Sequence, residues 1–214
     1  MKSKIQSLKN GNKKTVIKKL FLTAAVAVSS LTFAQQFGAK AGMNVSTISD
    51  EGFDDTKSKV GYYAGVFMNV PVSESFSIQP EVLYNNLGSK VSSTVSGTTY
   101  SSTLNLDYVA VPVMFQYKAT PQFYLEAGPE FGFLVNAKQK FDNGSSSIVT
   151  ELDKEDFNSF NMGVDLGLGF DIAKNGGLNA RDVAGFSDIT KKSGPAADAK
   201  NKNNAFQVGL NIKF

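Results

Sequence analysis

The chain has 214 residues, 19 of them Gly, and it contains no Cys, His or Trp. The absence of His excludes catalytic systems of the Ser–His–Asp and Cys–His types and also His-ligated zinc sites. The absence of Cys excludes disulfides, thiolate chemistry and iron–sulfur clusters.

The formal charge of +3 is unevenly distributed along the chain. Seven of the 22 basic residues lie within residues 1–34, which contain no acidic residue, so the remainder carries 15 basic against 19 acidic residues. A remainder with a net charge of −4 lacks the basic surface that binding to nucleic acid requires. No nucleic-acid partner is expected.

Residues 1–34 have the pattern of a secretory signal peptide. A Lys-rich stretch ends at Lys18 and Lys19, and a 15-residue apolar run follows from Leu20 to Ala34. This run is shorter than the roughly 20 residues that a membrane-spanning helix needs. Cleavage is expected after Ala34, which leaves residues 35–214 as one exported domain; the alternative is an uncleaved N-terminal anchor.

Residues 35–214 contain eight segments in which apolar and polar residues alternate with period two. The sixth segment is the most regular, because every second residue from Phe160 to Ile172 is apolar. The eight segments cover residues 37–45, 60–70, 76–85, 104–117, 123–136, 160–172, 178–189 and 206–214. Long polar connections (46–59, 88–103, 138–158, 190–203) alternate with short turns (71–75, 118–122, 173–177). This order predicts an all-β fold, an eight-stranded antiparallel up-and-down transmembrane β-barrel.

Alternation does not by itself decide which face of the strands points outwards. A soluble barrel of the lipocalin type would turn its apolar face inwards. The inverted arrangement is favoured because the polar face is rich in Gly, as a narrow barrel interior requires. Aromatic residues also fall near both ends of the segments, and ten tilted residues span roughly 23 Å, the height of a membrane band. In the fourth segment Val109, Val111 and Val113 are assigned to the lipid side, and in the seventh Asp182 faces lipid or lies beside a bulge.

Eight charged residues fall on the face that this arrangement turns inwards. They are Lys40, Glu81, Glu126, Glu130, Asp165, Asp171, Arg181 and Lys213. We interpret them as a structural polar network that plugs the lumen, with Arg181 as a hub whose planar fork can hold two carboxylates. The alternative is a narrow cation-selective path. Glu126 and Glu130 lie about 13 Å apart along one strand, too far for acid and base at one bond, so no enzyme activity and no cofactor are expected.

Two further features carry weaker predictions. The first and third long connections hold acidic clusters (Asp50, Glu51, Asp54 and Asp55; Glu151, Asp153, Glu155 and Asp156), but these lack the EF-hand pattern, so no metal site is assigned.

Pro80, Pro112 and Pro129 lie inside predicted strands, where each removes a ladder hydrogen bond. Bulges or lumen water are expected beside these three prolines.

Five runs resemble the PorT-like outer-membrane β-barrel family of Gram-negative bacteria. They are FGAKAGMN from residue 37, SIQPEVLYNN at 77–86, YVAVPVMFQY at 108–117, FYLEAGPEFGFLVNAK at 123–138 and the terminal FQVGLNIKF. The resemblance covers nearly all of 36–214 and implies an eight-stranded barrel in the outer membrane. One branch of that family is linked to secretion and maturation of surface proteins, and most members have no assigned activity.

Three functions follow as expectations. The first is a non-enzymatic outer-membrane barrel with a structural or surface-interaction role. The alternatives are an accessory barrel for a secretion system and a small ion pore. The expected partners are outer-membrane lipid and lipopolysaccharide, surface proteins and the barrel-assembly machinery, for which Phe214 at the end of an alternating strand resembles the recognition signal. In this orientation both termini and the short turns are periplasmic and the long loops extracellular.

Overall fold

A computed structural model describes residues 35–50, 57–189 and 201–214. The predicted signal peptide and the site of its cleavage after Ala34 lie at or beyond the edge of these ranges, and so does most of the first acidic cluster.

In the described residues, nine β-strands form one antiparallel sheet. They are β1 (Gln36–Asp50), β2 (Lys57–Pro71), β3 (Phe76–Val95), β4 (Thr98–Lys118), β5 (Phe123–Asp142), β6 (Ser147–Glu151), β7 (Phe160–Ala173), β8 (Gly176–Gly185) and β9 (Asn201–Lys213). A single 3₁₀ turn, Lys154–Asp156, precedes β7. Within the described ranges, no helix combines the length and the apolar character that a membrane span would need. The all-β antiparallel prediction is confirmed.

The strand pairing returns on itself. Each strand from β1 to β5 pairs with the next, β5 also pairs with β7, and β7, β8 and β9 follow in order. The last strand then pairs with the first, with Lys213 opposite Gly38 and Leu210 opposite Ala41. A ring of this kind leaves no open sheet edge along its wall.

The ninth strand is β6, which the prediction of eight strands missed. It pairs with the end of β5, where Lys138 lies opposite Glu151 and Asp142 opposite Ser147. The residues between them form a tight turn, because the Asn143 side-chain oxygen accepts hydrogen bonds from the backbone N–H groups of Ser145 and Ser146. This stretch, part of the polar connection predicted at 138–158, has the usual sequence pattern of a hairpin. Turn residues are followed by three β-branched residues, Ile148, Val149 and Thr150.

Three strands are twice as long as a membrane crossing requires. β3, β4 and β5 have 20, 21 and 20 residues, whereas a transmembrane strand needs about 9–11. The predicted loop at 88–103 is therefore mostly strand. Its turn is the pair Ser96 and Gly97, both with positive φ (51° and 80°), which is the backbone of a two-residue hairpin turn. These strands continue well beyond the apolar band at the long-loop end.

The apolar face of the sheet points outwards and the polar face inwards, as predicted. Leu166, Leu210 and Ile212 are each more than half exposed, whereas Lys40, Glu81 and Arg181 are buried. The soluble lipocalin-type alternative, with an apolar interior throughout, is therefore contradicted. In β4, Phe115 and Tyr117 face outwards while Ala110 and Met114 are buried, so its predicted facing is confirmed.

Aromatic side chains lie near both ends of the outer apolar band. Near the short turns Phe76 contacts Tyr117, with ring centres 4.9 Å apart. Towards the long loops Tyr62 stacks on Tyr84 at 6.0 Å, and Phe160 contacts Phe133 at 5.4 Å. Such belts suit the two interfaces of a bilayer.

Asp182 is exposed on the outer face, as its register predicts. It lies opposite Phe206 of β9, a residue of the aromatic belt at the long-loop end, so the carboxylate stands near an interface rather than at mid-membrane. The register shift recorded in β8 lies at its start, opposite Asp171 and Ala173, so no bulge turns Asp182 aside.

Bulges or lumen water were expected beside the strand prolines; no bulge lies beside them in the described strands, and the lumen water stays a prediction. The recorded register shifts fall elsewhere, between Ser58 and Tyr63, between Asp107 and Tyr108, and between Asp171 and Ala173. Pro80 on β3 lies opposite Val113 on β4. The pairing is interrupted over the next two residues of β3 and resumes in the same register where Leu83 lies opposite Ala110. The missing N–H thus interrupts the ladder locally, and the pairs on either side hold the alignment.

The outward apolar face yields a direct test. Leu210 lies four residues from each of Phe206 and Phe214, the outward aromatic residues near the two ends of the apolar band, and is exposed on the outer face of β9. We expect Leu210→Arg to lower the free energy of unfolding in lipid vesicles by about 2–4 kcal/mol, because a guanidinium at mid-bilayer loses its hydration. The matched control is Ile148→Arg in β6, which is equally exposed but lies beyond the apolar band and should cost less than about 0.5 kcal/mol. Urea titration followed by heat-modifiable gel migration measures both, and equal losses would contradict the assignment of the band.

Candidate functional site

The barrel interior contains a compact set of buried charges, which we call the inner charge cluster. It consists of Lys40 on β1, Glu81 on β3, Glu126 on β5, Asp165 on β7 and Arg181 on β8. All five side chains are at least 95 % buried. Inward-pointing positions of five strands bring them together across the lumen, although they are up to 141 positions apart in sequence.

Arg181 is the centre of this cluster. Its Nη1 and Nη2 atoms donate to the two Glu81 oxygens at 3.0 and 2.9 Å, and its Nε and Nη2 atoms donate to Glu126 Oε1 at 3.0 and 2.7 Å. Nη1 also reaches Asp165 Oδ2 at 3.3 Å. Where the sequence suggested two carboxylates around this hub, the structure places three. Lys40 Nζ adds a second cation to Glu81 at 2.9 Å.

Amide side chains support the carboxylates of the cluster from the short-turn side. Gln79 donates to Glu81 Oε1 at 2.8 Å, and Gln116 donates to Glu126 Oε2 at 2.9 Å. Asn69 Nδ2 in turn donates to the side-chain oxygens of both Gln79 and Gln116. Buried carboxylates that keep such partners offset part of their desolvation cost. Gln116 and Asn69 were not among the residues predicted from sequence, because their segments alternate less regularly.

The other predicted interior charges stand apart from the cluster. Asp171 and Lys213 form a separate pair, with Lys213 Nζ 2.9 Å from Asp171 Oδ2, and both are partly exposed near the short turns. Glu130 is buried, and its Oε2 atom has no hydrogen-bond partner. The eight residues are thus not one continuous network of contacts.

Glycines make room for large interior side chains. Gly42 lies opposite Gly209 in the β1–β9 pairing. A Cβ atom on Gly42 would lie 2.7 Å from the Tyr63 ring, and one on Gly209 would lie 2.3 Å from the Tyr63 hydroxyl oxygen. The ring therefore occupies the space that two side chains would take. Its hydroxyl donates to Asn179 Oδ1 at 2.8 Å.

The interior is apolar at the long-loop end, which the sequence reading missed. We call this group the apolar cap; its buried members are Ile48, Leu87, Leu106, Tyr108, Leu134, Ala137, Phe157, Val183, Ile189 and Ala205. Phe157 lies in the connection before β7. Ile189 lies in the connection after β8, which the prediction had counted as the end of the seventh segment, and both residues pack over the barrel mouth. The backbone N–H of Asn158 donates to the Ile189 carbonyl at 2.8 Å, which fixes the two connections together. Leu87 and Leu106 could have indicated the apolar cap, because the alternation places both of these apolar residues on the inward face of their strands.

Beyond the apolar band, the ends of β3, β4 and β5 together with β6 form a four-stranded extension, which we call the outer sheet (residues 89–95, 98–105, 137–142 and 147–151). A cleft of about 280 Å³ lies on it, lined by Val91, Tyr100, Phe141, Ile148 and several Ser residues. These four apolar side chains are each between 46 and 66 % exposed.

A row of polar groups marks the boundary between the apolar band and the outer sheet. Lys59 Nζ donates to the Asn86 side-chain oxygen, and Asn136 donates to Asp107 Oδ2 at 2.9 Å. Burial lowers the pKa of Lys59, just outside the band, to about 8, while nearby Asp107 acts in the opposite direction. Among the described residues, no three acidic side chains come together in a group that could hold a metal ion.

The inner charge cluster predicts a large cost for removing its central cation. Arg181→Met leaves three buried carboxylates without their shared partner, and we expect it to lower the free energy of unfolding by about 3–5 kcal/mol. The control is Lys213→Met, which breaks a pair that water reaches and should cost about 1 kcal/mol or less. Urea unfolding in lipid vesicles followed by circular dichroism measures both. Equal losses would show that Arg181 does not hold the interior together.

Comparison with known proteins agrees with this architecture. Among solved structures, the attachment invasion locus protein Ail of Yersinia pestis matches with a TM-score of 0.50 and 14 % identity, covering 85 % of this chain and 100 % of that one. Neisserial surface protein A matches with a TM-score of 0.47 and 11 % identity, covering 85 % and 100 %. At these identities the likeness concerns the fold alone. No curated protein sequence matches the chain.

A family model supplies the assignment that single structures do not. The model described as the outer membrane protein beta-barrel domain matches residues 33–191, most of the chain. The matched region includes β1 to β8 and all five members of the inner charge cluster. The chain therefore belongs to the outer membrane β-barrel domain family.

Proposed function

We propose that this protein is a non-enzymatic outer-membrane barrel that uses its outer sheet to contact molecules outside the cell. The observation that supports this most strongly is the outer sheet itself. Its strands contribute between five and eight residues beyond the apolar band, and a barrel with a purely structural role has no use for that length.

The surface of the outer sheet has the character of a contact site. Tyr100, Phe141 and Ile148 lie around one cleft, about half exposed to water, although nothing in a bilayer can cover them there. Apolar groups that share a patch on a water-facing surface commonly mark a site of interaction. The exposed ion pairs nearby, such as Lys138 with Glu151 at 3.4 Å, contribute little stability and leave the patch nearly uncharged.

The barrel interior favours this proposal over an ion pore. Arg181 and its carboxylates cross the lumen, and the apolar cap covers the mouth above them. An ion would have to break several charge-assisted hydrogen bonds and then pass through apolar side chains, and each step costs several kcal/mol. Side chains fill an eight-strand ring without leaving a water column.

The proposal includes the location and the orientation of the chain. Family membership supports an outer-membrane location, and the signal peptide at 1–34 would direct export there. The short turns and both termini would then face the periplasm, and lipid and lipopolysaccharide would surround the apolar band. Phe214, 77 % exposed beside Phe37, would be the signal that the barrel-assembly machinery reads.

The proposal also includes the absence of enzyme activity. The chain has no His, and Glu126, half of the carboxylate pair weighed from sequence, is held by Arg181 and Gln116. The accessory role in secretion that the PorT-like resemblance implies would act through the short turns or the barrel wall. The outer sheet gives that role no support, so we place it second.

Site-specific crosslinking in intact cells tests the proposed contact surface. A photoreactive amino acid in place of Tyr100 should form crosslinked products with surface material, because this position lines the cleft. The same probe in place of Leu210, which faces lipid, is the matched control and should crosslink no protein. Adding Phe141→Ser and Ile148→Ser should reduce the Tyr100 products at least about five-fold, since each lost apolar contact weakens binding by about 1 kcal/mol. Products that persist unchanged would contradict the proposal.

Electrical recording tests the closed interior. Wild-type protein in a planar bilayer should show no stable single-channel conductance, because the inner charge cluster and the apolar cap both block the lumen. The comparison is a variant with Arg181→Ala, Phe157→Ala and Ile189→Ala, in which conductance should appear if these groups are the block. Stable channels formed by the wild type would instead favour the pore.

A further inference from the structure

The strand β6 forms one edge of the outer sheet. It pairs with β5 through five residues, and among the described residues no other strand pairs with it. All five of its residues are exposed, and Ile148 and Val149, which point to opposite faces of the sheet, are 66 and 58 % exposed. The barrel wall is closed, whereas the sheet that rises above it has an edge.

The hydrogen bonds at the two ends of the β5–β6 pairing show how the backbone of β6 is oriented. At one end the Leu152 N–H donates to the Ala137 carbonyl at 3.0 Å. At the other end the Asn143 N–H donates to the Ser146 carbonyl at 3.1 Å. Directly opposed residues of an antiparallel pair alternate between bonded and non-bonded positions, so these two bonds fix every position between them.

This alternation leaves one row of backbone groups of β6 directed away from β5. Ile148 and Thr150 occupy the bonded positions of the pairing. Ser147, Val149 and Glu151 occupy the non-bonded positions, and they turn their N–H and C=O groups towards the outer edge. A row of donors and acceptors that repeats every second residue is what an extended polypeptide pairs with.

β6 lacks the features with which proteins protect a sheet edge. Lys, Pro and bulges on an edge discourage pairing with a further strand, and β6 (SIVTE) has no Lys, no Pro and no register shift. The opposite edge of the outer sheet, residues 91–95 of β3, begins beside the opposed cations Lys57 and Lys90. The edge on β6 is therefore the better suited of the two to accept a strand.

A second copy of this barrel does not fit this edge. Copies in one membrane share the same orientation, so two facing β6 strands related by a two-fold axis along the membrane normal have equivalent atoms at equal heights. N–H groups would then face N–H groups, and carbonyls would face carbonyls. An antiparallel pair of β6 strands would require one of the two barrels to be upside down.

We propose, building on the contact function of the outer sheet, that β6 binds an extended segment of another protein as an added strand. The N–H and C=O groups of Val149 lie at the centre of the new ladder. Alternate side chains of the added strand lie beside Ile148, over the cleft that Tyr100 and Phe141 line, so these side chains should be apolar. The Lys138–Glu151 ion pair leaves the edge nearly neutral, which suits a segment of low net charge.

Amide hydrogen exchange of the full barrel in detergent micelles tests the free edge. In the protein alone the Val149 amide should exchange at least about tenfold faster than the amides of Ile148 and Thr150, because only these two donate to β5. The probe is a synthetic peptide in which Val and Thr alternate between terminal Lys residues. A saturating concentration of this peptide should slow exchange at Val149 at least about tenfold. A Val149 amide that is protected in the protein alone, or that the peptide leaves unprotected, would overturn the proposal.

Matched changes in β6 separate pairing through the backbone from contact through side chains. Val149→Pro removes the N–H that points away from β5 and keeps the bonds to β5, and slow exchange at Thr150 checks that β6 stays paired. It should weaken peptide binding at least about tenfold, whereas Val149→Thr, which keeps the N–H and the β-branched shape, should change it less than about threefold. Equal effects of the two substitutions would contradict an added strand.

The peptide offers the complementary test. N-methylation of every second residue in one phase should abolish binding, because those N–H groups face β6. The same modification in the other phase should leave binding in place, because those N–H groups face away. Loss of binding in both phases, or in neither, would argue against pairing along one edge.

Crosslinking distinguishes failure of the added strand from failure of the contact function. With the photoreactive amino acid in place of Tyr100, adding Val149→Pro should reduce the crosslinked products in intact cells at least about fivefold. Products that Val149→Pro leaves unchanged would overturn the added strand and leave the contact function standing. No products with or without Val149→Pro would contradict both.

Discussion

The structure depends on one constraint: a sheet surrounded by lipid must satisfy every backbone hydrogen bond within itself. The pairing of β9 with β1 and of β4 with β5 meets this requirement by leaving the wall without an edge. Everything polar must then go inside, which inverts the usual distribution of side chains. The buried charges are a consequence of closure, because the inward face is the only place where hydrophilic residues of these strands can lie.

Closure of the sheet also limits the space that is available to the inward side chains. The ring is narrow, so an inward Tyr63 is possible only where Gly42 and Gly209 give up their side-chain space. The same narrowness brings carboxylates from three strands into contact with one guanidinium. Arg181 suits this position because its fixed fork of donors serves several acceptors in one plane, which a lysine could not do. The closed wall therefore determines both how the inward side chains pack and which charges come into contact.

Much of this could be read from the sequence, because period-two alternation reports both strand and facing. The sixth segment, now β7, was unambiguous, whereas the inward position of Arg181 was predicted from a less regular segment whose facing Asp182 left open. The outer sheet could not be read, since the Ser- and Thr-rich stretches 88–103 and 138–158 have polar residues on both faces and resemble loops. The apolar cap was missed for a different reason. Phe157 lies in a connection, where no periodic pattern exists, and Ile189 lies at the end of the least regular segment, beyond the observed end of β8, so only long-range packing reveals their role.

The apolar cap also limits how the exterior can be altered. Its members Phe157 and Ile189 belong to connections at the long-loop end, and they are nonetheless buried in the interior of the barrel. Grafting a foreign epitope near either residue would unseal the mouth of the barrel. The tip at Ser96 and Gly97, by contrast, leads into the exposed residues 98–100, and a Cβ atom on Gly97 would meet nothing within 4 Å. That hairpin is the place where added sequence can be displayed without disturbing the interior.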